Sequence, residues 1–308
     1  MHWRYESGPH AQGLSLQRIL ITGASGFIGT ALVRSLLGVG ADVRAARRGS
    51  PVDTSDVQVG DLGPATDWRA ALEGVATVIH LAGPAHRRCV ERVLQHAIAD
   101  GAAALAAQAE EAGVGRFIFM SSIKAAAART EGAAISERDP PQPGDAYGRA
   151  KLAAEAAVLA HGRLNPIVLR PPLVHAPDAK ANFAALLALA AAPLPAPLAG
   201  VQNRRSLISR DALIGAVRAV LAVPEGAGGV FHLAEQPALS SAEIVTALRR
   251  GLGRAPRLAP AIPFLPAALR ESLEVDDSAF RAAYGYAGAD RDARDALAAT
   301  AAAWKASR

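Results

Sequence analysis

The sequence predicts an α/β fold: a doubly wound parallel sheet with a smaller C-terminal lobe. Three observations carry that prediction. Apolar runs alternate with helical stretches from residue 18 to residue 170, the pattern of parallel strands joined by crossover helices. A glycine-rich turn, Gly23-Ala24-Ser25-Gly26-Phe27-Ile28-Gly29, stands between the first run and the first helical stretch. Gly23, Gly83 and Ser122 each fall just past an apolar run, and sheets of this kind bind ligands at the carboxyl ends of their strands.

The turn follows Ile19-Leu20-Ile21 and opens the helical pattern Ala31–Leu37. Strand, glycine turn and helix in that order make a nucleotide phosphate site. Gly23 allows the tight turn, Gly26 lets backbone approach a pyrophosphate, and Gly29 lets the helix pack close to the strand. The spacing is G-x-x-G-x-x-G, and a glycine-rich turn after a strand is also an ordinary structural turn. The second strand is read at 42–46 and ends at Arg47-Arg48, without a carboxylate. A guanidinium there suits a 2′-phosphate, which favours NADP(H) over NAD(H). The bland alternative is a solvated arginine pair.

A short strand at 57–62 ends in Asp61-Leu62, a helix is expected over 67–72, and a buried strand over 77–81. That strand ends in Leu81-Ala82-Gly83, where a cofactor backbone could lie close. His80 reads as a satisfied core histidine. A long helix is expected over 91–111, then a strand over 116–120 running into Ser121-Ser122. Asp145 opens a helix to about His161 that carries Tyr147 and Lys151 four residues apart, on one helical face. A sixth strand, 166–170, stops at Pro171-Pro172.

These elements divide the chain into a lead-in over 1–17, a dinucleotide-binding domain over 18–170 and a second lobe over 171–308. A strand near 229–233 is expected to return to the main sheet. Ser240-Ser241-Ala242-Glu243 has the form of a capped helix start.

Composition narrows the class. Of 308 residues 51% are apolar and 20% charged, as in a globular protein rather than a disordered one. The net charge of +5 comes without a basic block interleaved with aromatics, so nucleic acid is not an expected partner. The apolar stretch 183–192 is too short to span a bilayer, and no membrane partner is expected. A single cysteine, Cys89, excludes an intrachain disulfide framework and fits a reducing, cytoplasmic setting. No metal site is read.

The glycine turn, Ser122 at a strand end, and Tyr147 with Lys151 together resemble the extended short-chain dehydrogenase/reductase superfamily, with its Rossmann sheet. Ser121-Ser122-Ile123-Lys124, Leu169-Arg170-Pro171-Pro172-Leu173-Val174 and Asn203-Arg204-Arg205-Ser206-Leu207 are similar to the branch of NAD-dependent epimerases and dehydratases. Closest are bacterial UDP-sugar 4-epimerases and 4-keto-6-deoxy-sugar reductases of surface polysaccharide synthesis. The resemblance implies a nucleotide-sugar substrate, a homodimer, and a substrate-binding role for the second lobe. It implies cofactor contacts from the turn, Arg47, Arg48, Asp61, Leu62, Leu81, Ala82, Gly83, Tyr147, Lys151 and Pro171. Ser122, Tyr147 and Lys151 would be catalytic; Ser122, Asn182 and Arg205 would hold substrate, with surface or capping duty as the alternative for the last two.

The chemistry needs these residue types. Hydride transfer at a carbinol carbon requires proton movement on its oxygen, and a phenol with a pKa near 10 is a poor base at neutral pH. Lowering it by about three units takes roughly 4 kcal/mol of preferential phenolate stabilisation. Lys151 can supply charge for this, and Ser122 can hold the reacting oxygen. Three positions depart from the relatives' pattern near the sugar pocket: Ile98, His175-Ala176 and Ala125–Ala127. The arginine pair tilts the reading toward an NADP-dependent 4-keto reductase. An NAD-dependent 4-epimerase is the alternative, and a non-catalytic NADP-binding sensor or interaction protein a further one.

Overall fold

The structure, a computed structural model, describes residues 17–49, 53, 55–84, 90–286 and 292–308. Cys89 and most of the lead-in lie outside the described residues. By contact the chain forms two compact units. The first comprises residues through Ser121, Ala150–Leu169 and Val217–Val230; the second comprises Ser122–Arg149, Arg170–Ala216 and Phe231–Arg308.

The main sheet is built from β1 (Arg18–Thr22), β2 (Val43–Arg47), β3 (Val57–Gln58), β4 (Val75–His80), β5 (Arg116–Met120) and β6 (Pro166–Arg170), with Gly229–His232 at its edge. The spatial order is 3-2-1-4-5-6, then the edge strand beside β6. Adjacent pairs from β3 to β6 are all parallel. This is the doubly wound order, and the winding reverses between β1 and β4. Ile19, Leu20, Ile21, Val78, Ile79, Phe117, Ile118 and Phe119 are all buried, as central strands covered on both faces must be.

Two elements differ from the sequence reading. The strand expected over 57–62 pairs only at Val57–Gln58, because Gly60 turns the chain away at φ +70°. The helix expected over 91–111 comprises Glu91–Leu94, a π-helical stretch Gln95–Asp100, and Gly101–Glu111. The wider turn packs Ile98 so that a methyl group on Gly83 would lie 3.5 Å from its Cγ1.

The second unit carries strands that the sequence pattern did not announce. After β7 (Leu173–His175) come β8 (Ala196–Ala199) and β9 (Arg205–Ser209), and then, past the edge strand β10 (Gly229–His232), β11 (Glu235–Leu239) and β12 (Leu258–Pro260). They make a three-stranded sheet, β11-β9-β7, and a two-stranded one, β12-β8. Phe183, Leu187, Leu198, Leu248 and Leu297 centre the unit's larger core. Helix Ser241–Gly251 starts with the expected capping box: Ser240 accepts from the Glu243 N–H, and Glu243 accepts from the Ser240 N–H. Among the described residues no helix is long and apolar enough to cross a membrane.

Candidate active site

In the first unit the glycine turn is fixed by steric necessity. Gly23 sits at φ +69°, and a methyl group on it would stand 2.8 Å from the Ala82 nitrogen. One on Gly29 would stand 2.2 Å from the Gly23 carbonyl oxygen. The turn therefore folds flat against the end of β4, and helix Gly29–Leu37 starts directly on it. The Gly26 N–H donates to that same Gly23 carbonyl at 2.9 Å. Ser25 and Gly26 are exposed, and the helix begins without a side-chain cap. A bare turn facing an uncapped helix start fits the pyrophosphate of a dinucleotide.

Leu81, Ala82 and Gly83 stand beside this turn at the end of β4. Asp61 and Leu62 follow β3, the carboxylate of Asp61 exposed and 4.0 Å from the Arg48 guanidinium. The two arginines at the end of β2 differ. Arg47 is ion-paired through Nε to the buried carboxylate of Asp56, whereas Arg48 is largely solvent-exposed. Of the pair, Arg48 has the more exposed side chain, 71% against 23% for Arg47.

Lys151 is buried in the same unit, its Nζ donating to the Met120 carbonyl at 2.7 Å and lying 4.6 Å over the Phe119 ring. Burial lowers it to about 8, against the opposing pull of the Glu155 carboxylate. Glu155 is buried too and accepts a short hydrogen bond from the Ser121 hydroxyl. His80 stacks on Phe119 with ring centroids 5.7 Å apart, and its Nδ1 lies 2.7 Å from the Thr22 hydroxyl. Burial first, then the Lys151 charge, push its imidazole down to about 3. It is neutral at working pH, a core histidine.

In the second unit the turn that follows Ser122 meets the start of the helix that carries Tyr147. A methyl group on Gly148 would stand 2.2 Å from the Lys124 carbonyl oxygen, so the start of helix Ala146–Leu159 lies directly on the Ser122–Ala125 turn. Ser122 caps that turn, accepting from the Lys124 N–H at 3.3 Å. Asp145 locks the contact from both sides, taking the Lys124 ammonium and the Gly148 N–H, each at 2.7 Å. Burial, reinforced by the Asp145 charge, pushes the Tyr147 phenol up to about 12. The bare protein thus holds a neutral phenol. Pro171 is buried, its carbonyl accepting from the Ile123 N–H at 2.9 Å.

Arg205 opens β9, half-buried, with Nη1 donating to the Glu271 carbonyl at 3.0 Å. Asn182 is exposed at the start of helix Ala181–Ala191. The neighbouring Asn203 is a structural clamp: it bonds the Ser241 hydroxyl, the Glu271 carbonyl and the Ser241 N–H. His175, one of the departures, is buried between Thr300 and Glu235. No cluster suited to a metal ion occurs among the described residues. Sequence reasoning passed over Glu155 and Gly148. The third member of the ladder 147, 151, 155 could have been found by extending the four-residue step.

Comparison with known proteins now bears on this arrangement. The sequence profile of the NAD dependent epimerase/dehydratase family matches residues 19–234. The chain belongs to that family. It is 34% identical over 250 residues to the UDP-glucose 4-epimerase of Vibrio cholerae, covering 77% of this chain and 76% of that one. The fold is shared with the UDP-N-acetylglucosamine 4-epimerase of Bacillus cereus, at 19% identity and a TM-score of 0.80 over 94% and 98% of the two chains. It is shared likewise with Bordetella bronchiseptica WbmG in complex with NAD and UDP, at 20% identity and a TM-score of 0.79 over 95% and 96%. The protein is an NAD-dependent enzyme of the epimerase/dehydratase type.

Proposed function

We propose that this enzyme is a nucleotide-sugar 4-epimerase acting on a UDP-hexose. One observation carries the reading. The 34% identity to a UDP-glucose 4-epimerase runs over three-quarters of both chains, and this chain keeps Ser122, Tyr147, Lys151 and Arg205. The 4-keto reductase favoured by sequence reasoning rested on the arginine pair, of which Arg47 is ion-paired through Nε to Asp56.

Nicotinamide, when bound, supplies a reversible hydride acceptor. Gly23, Ser25, Gly26, Phe27, Ile28 and Gly29 would hold the dinucleotide's pyrophosphate, with Asp61, Leu62 and Leu81–Gly83 as further cofactor contacts. Ser122 hydrogen-bonds the sugar 4-oxygen. Tyr147 takes the proton from that oxygen and later returns it. Lys151 supplies the positive charge that makes a phenolate accessible, for Tyr147 alone is held near 12. Arg205 takes the diphosphate as a fork, and Asn182 lies at the sugar end.

The test is incubation with UDP-glucose, or with UDP-N-acetylglucosamine, without added cofactor. Epimerisation to the galacto isomer, with stoichiometric NAD released on denaturation, is expected. Failure to interconvert either pair with NAD supplied would overturn the proposal. The second reading, an NADP-dependent reductase, is favoured by Arg48, whose guanidinium is 71% exposed at the end of β2. Tighter binding of NADPH than NADH, abolished by Arg48→Ala, would establish it.

A further inference from the structure

Glu155, buried one turn beyond the catalytic lysine, has no part in the chemistry above. Lys151 and Glu155 lie one helical turn apart, and both are buried. Lysine preceding glutamate is the less favourable order for a surface helix pair, so helix stability does not explain them. Buried ionisable side chains persist only where each is well coordinated. Here the end of β5 coordinates both. The Met120 carbonyl accepts from Lys151 Nζ, and the next residue, Ser121, donates to a Glu155 carboxylate oxygen. Consecutive residues thus grip consecutive turns of one helix, immediately before Ser122.

We propose that Glu155, held by Ser121, is a positioning residue that keeps Lys151 charged and aimed for the proposed epimerisation. The inference rests on that reading for the role of Lys151. Described groups face the ammonium within its unit from β5, β4 and its own helix. Phe119 offers a ring face and Met120 a carbonyl. His80 is neutral, pushed to about 3. Tyr147, one turn earlier on the same helix, is the group to be activated. Glu155 is the anion that opposes the burial of Lys151, and without it a desolvated ammonium loses its proton readily.

The sign follows directly. Removing the carboxylate lowers the pH at which Lys151 deprotonates, so the alkaline limb of the rate profile moves toward neutrality. The chain's lysines are Lys124, Lys151, Lys180 and Lys305, few enough to follow by NMR with 13Cε-labelled lysine. In Glu155→Gln the Lys151 midpoint and the alkaline limb should both fall by about one pH unit or more. Activity should recover toward wild type at lower pH, and Glu155→Asp should restore the limb. A purely structural residue would lower activity at every pH and leave the limb in place, and that result overturns the proposal. Should Glu155→Gln not fold, wild type decides: a Lys151 midpoint above 7 supports the proposal and one below 7 overturns it. The titration needs no substrate, so it stands even if no UDP-sugar is turned over; that second failure would tell against the epimerase alone.

Discussion

The glycine turn of the first unit and the Arg205 region of the second differ in how they are specified. Around the turn there is no spare volume: methyl groups at Gly23 or Gly29 would collide with backbone at 2.8 and 2.2 Å. Around Arg205 the side chain is half-buried and, among the described residues, donates to the Glu271 carbonyl. The turn must be glycine because backbone meets backbone, whatever the ligand. The Arg205 side chain meets no such backbone collision, and under the proposed function it takes the substrate diphosphate. One region is fixed by packing, and the other is proposed to read substrate.

The comparison breaks most severely at Gly29. Gly29→Ala places its new methyl group against the Gly23 carbonyl, a backbone atom that cannot yield without opening the turn. NAD binding should be lost altogether by calorimetry, with a lowered melting temperature. Normal binding by this variant would dissolve the steric argument. Tyr147→Phe should come next, cutting kcat by roughly 10²- to 10⁴-fold while NAD affinity stays within a factor of two or so, since the phenol's task is proton transfer. Arg205→Ala should be milder still. Loss of a charged hydrogen-bond donor to a diphosphate costs about 1.5–3 kcal/mol, read as a tenfold or greater rise in KM for UDP-sugar with NAD binding unchanged. An unchanged KM would return Arg205 to a structural role.

The same contrast explains what was legible in the sequence. The Rossmann half was readable because its strands, such as Phe117-Ile118-Phe119, are continuous apolar runs, and because Gly23 and Gly29 have steric reasons to be glycine. Tyr147 and Lys151 were readable because a four-residue step is a helix turn. The strands of the second unit were not. Leu173–His175 and Leu258–Pro260 span three residues each, too short for alternation to register, and Ala196–Ala199 hides within a proline-rich stretch. The ion pair of Arg47 was not legible for a different reason. Its partner Asp56 is nine residues away, and no local pattern announces a pairing made in three dimensions. Ser121 and Glu155 meet over a longer separation still, through a helix packing on a strand end.

The smallest effect sharpens the comparison from the side of stability. Ser240 caps helix Ser241–Gly251, accepting from the Glu243 N–H at 3.1 Å, and Glu243 returns the bond at 2.8 Å. Ser240→Ala breaks one arm of this box and should cost about 1 kcal/mol. In a chain of this size that corresponds to a fall of about 2 °C in Tm, read by calorimetry. The helix packs into the core that includes Leu198 and Leu248, so the variant weakens the second unit without touching Arg205. If KM for UDP-sugar stays at the wild-type value while Tm falls, the rise expected for Arg205→Ala is a loss of recognition rather than of folding. If KM rises in both, the substrate reading of Arg205 loses its support, because general loosening of the unit would then be enough to produce it.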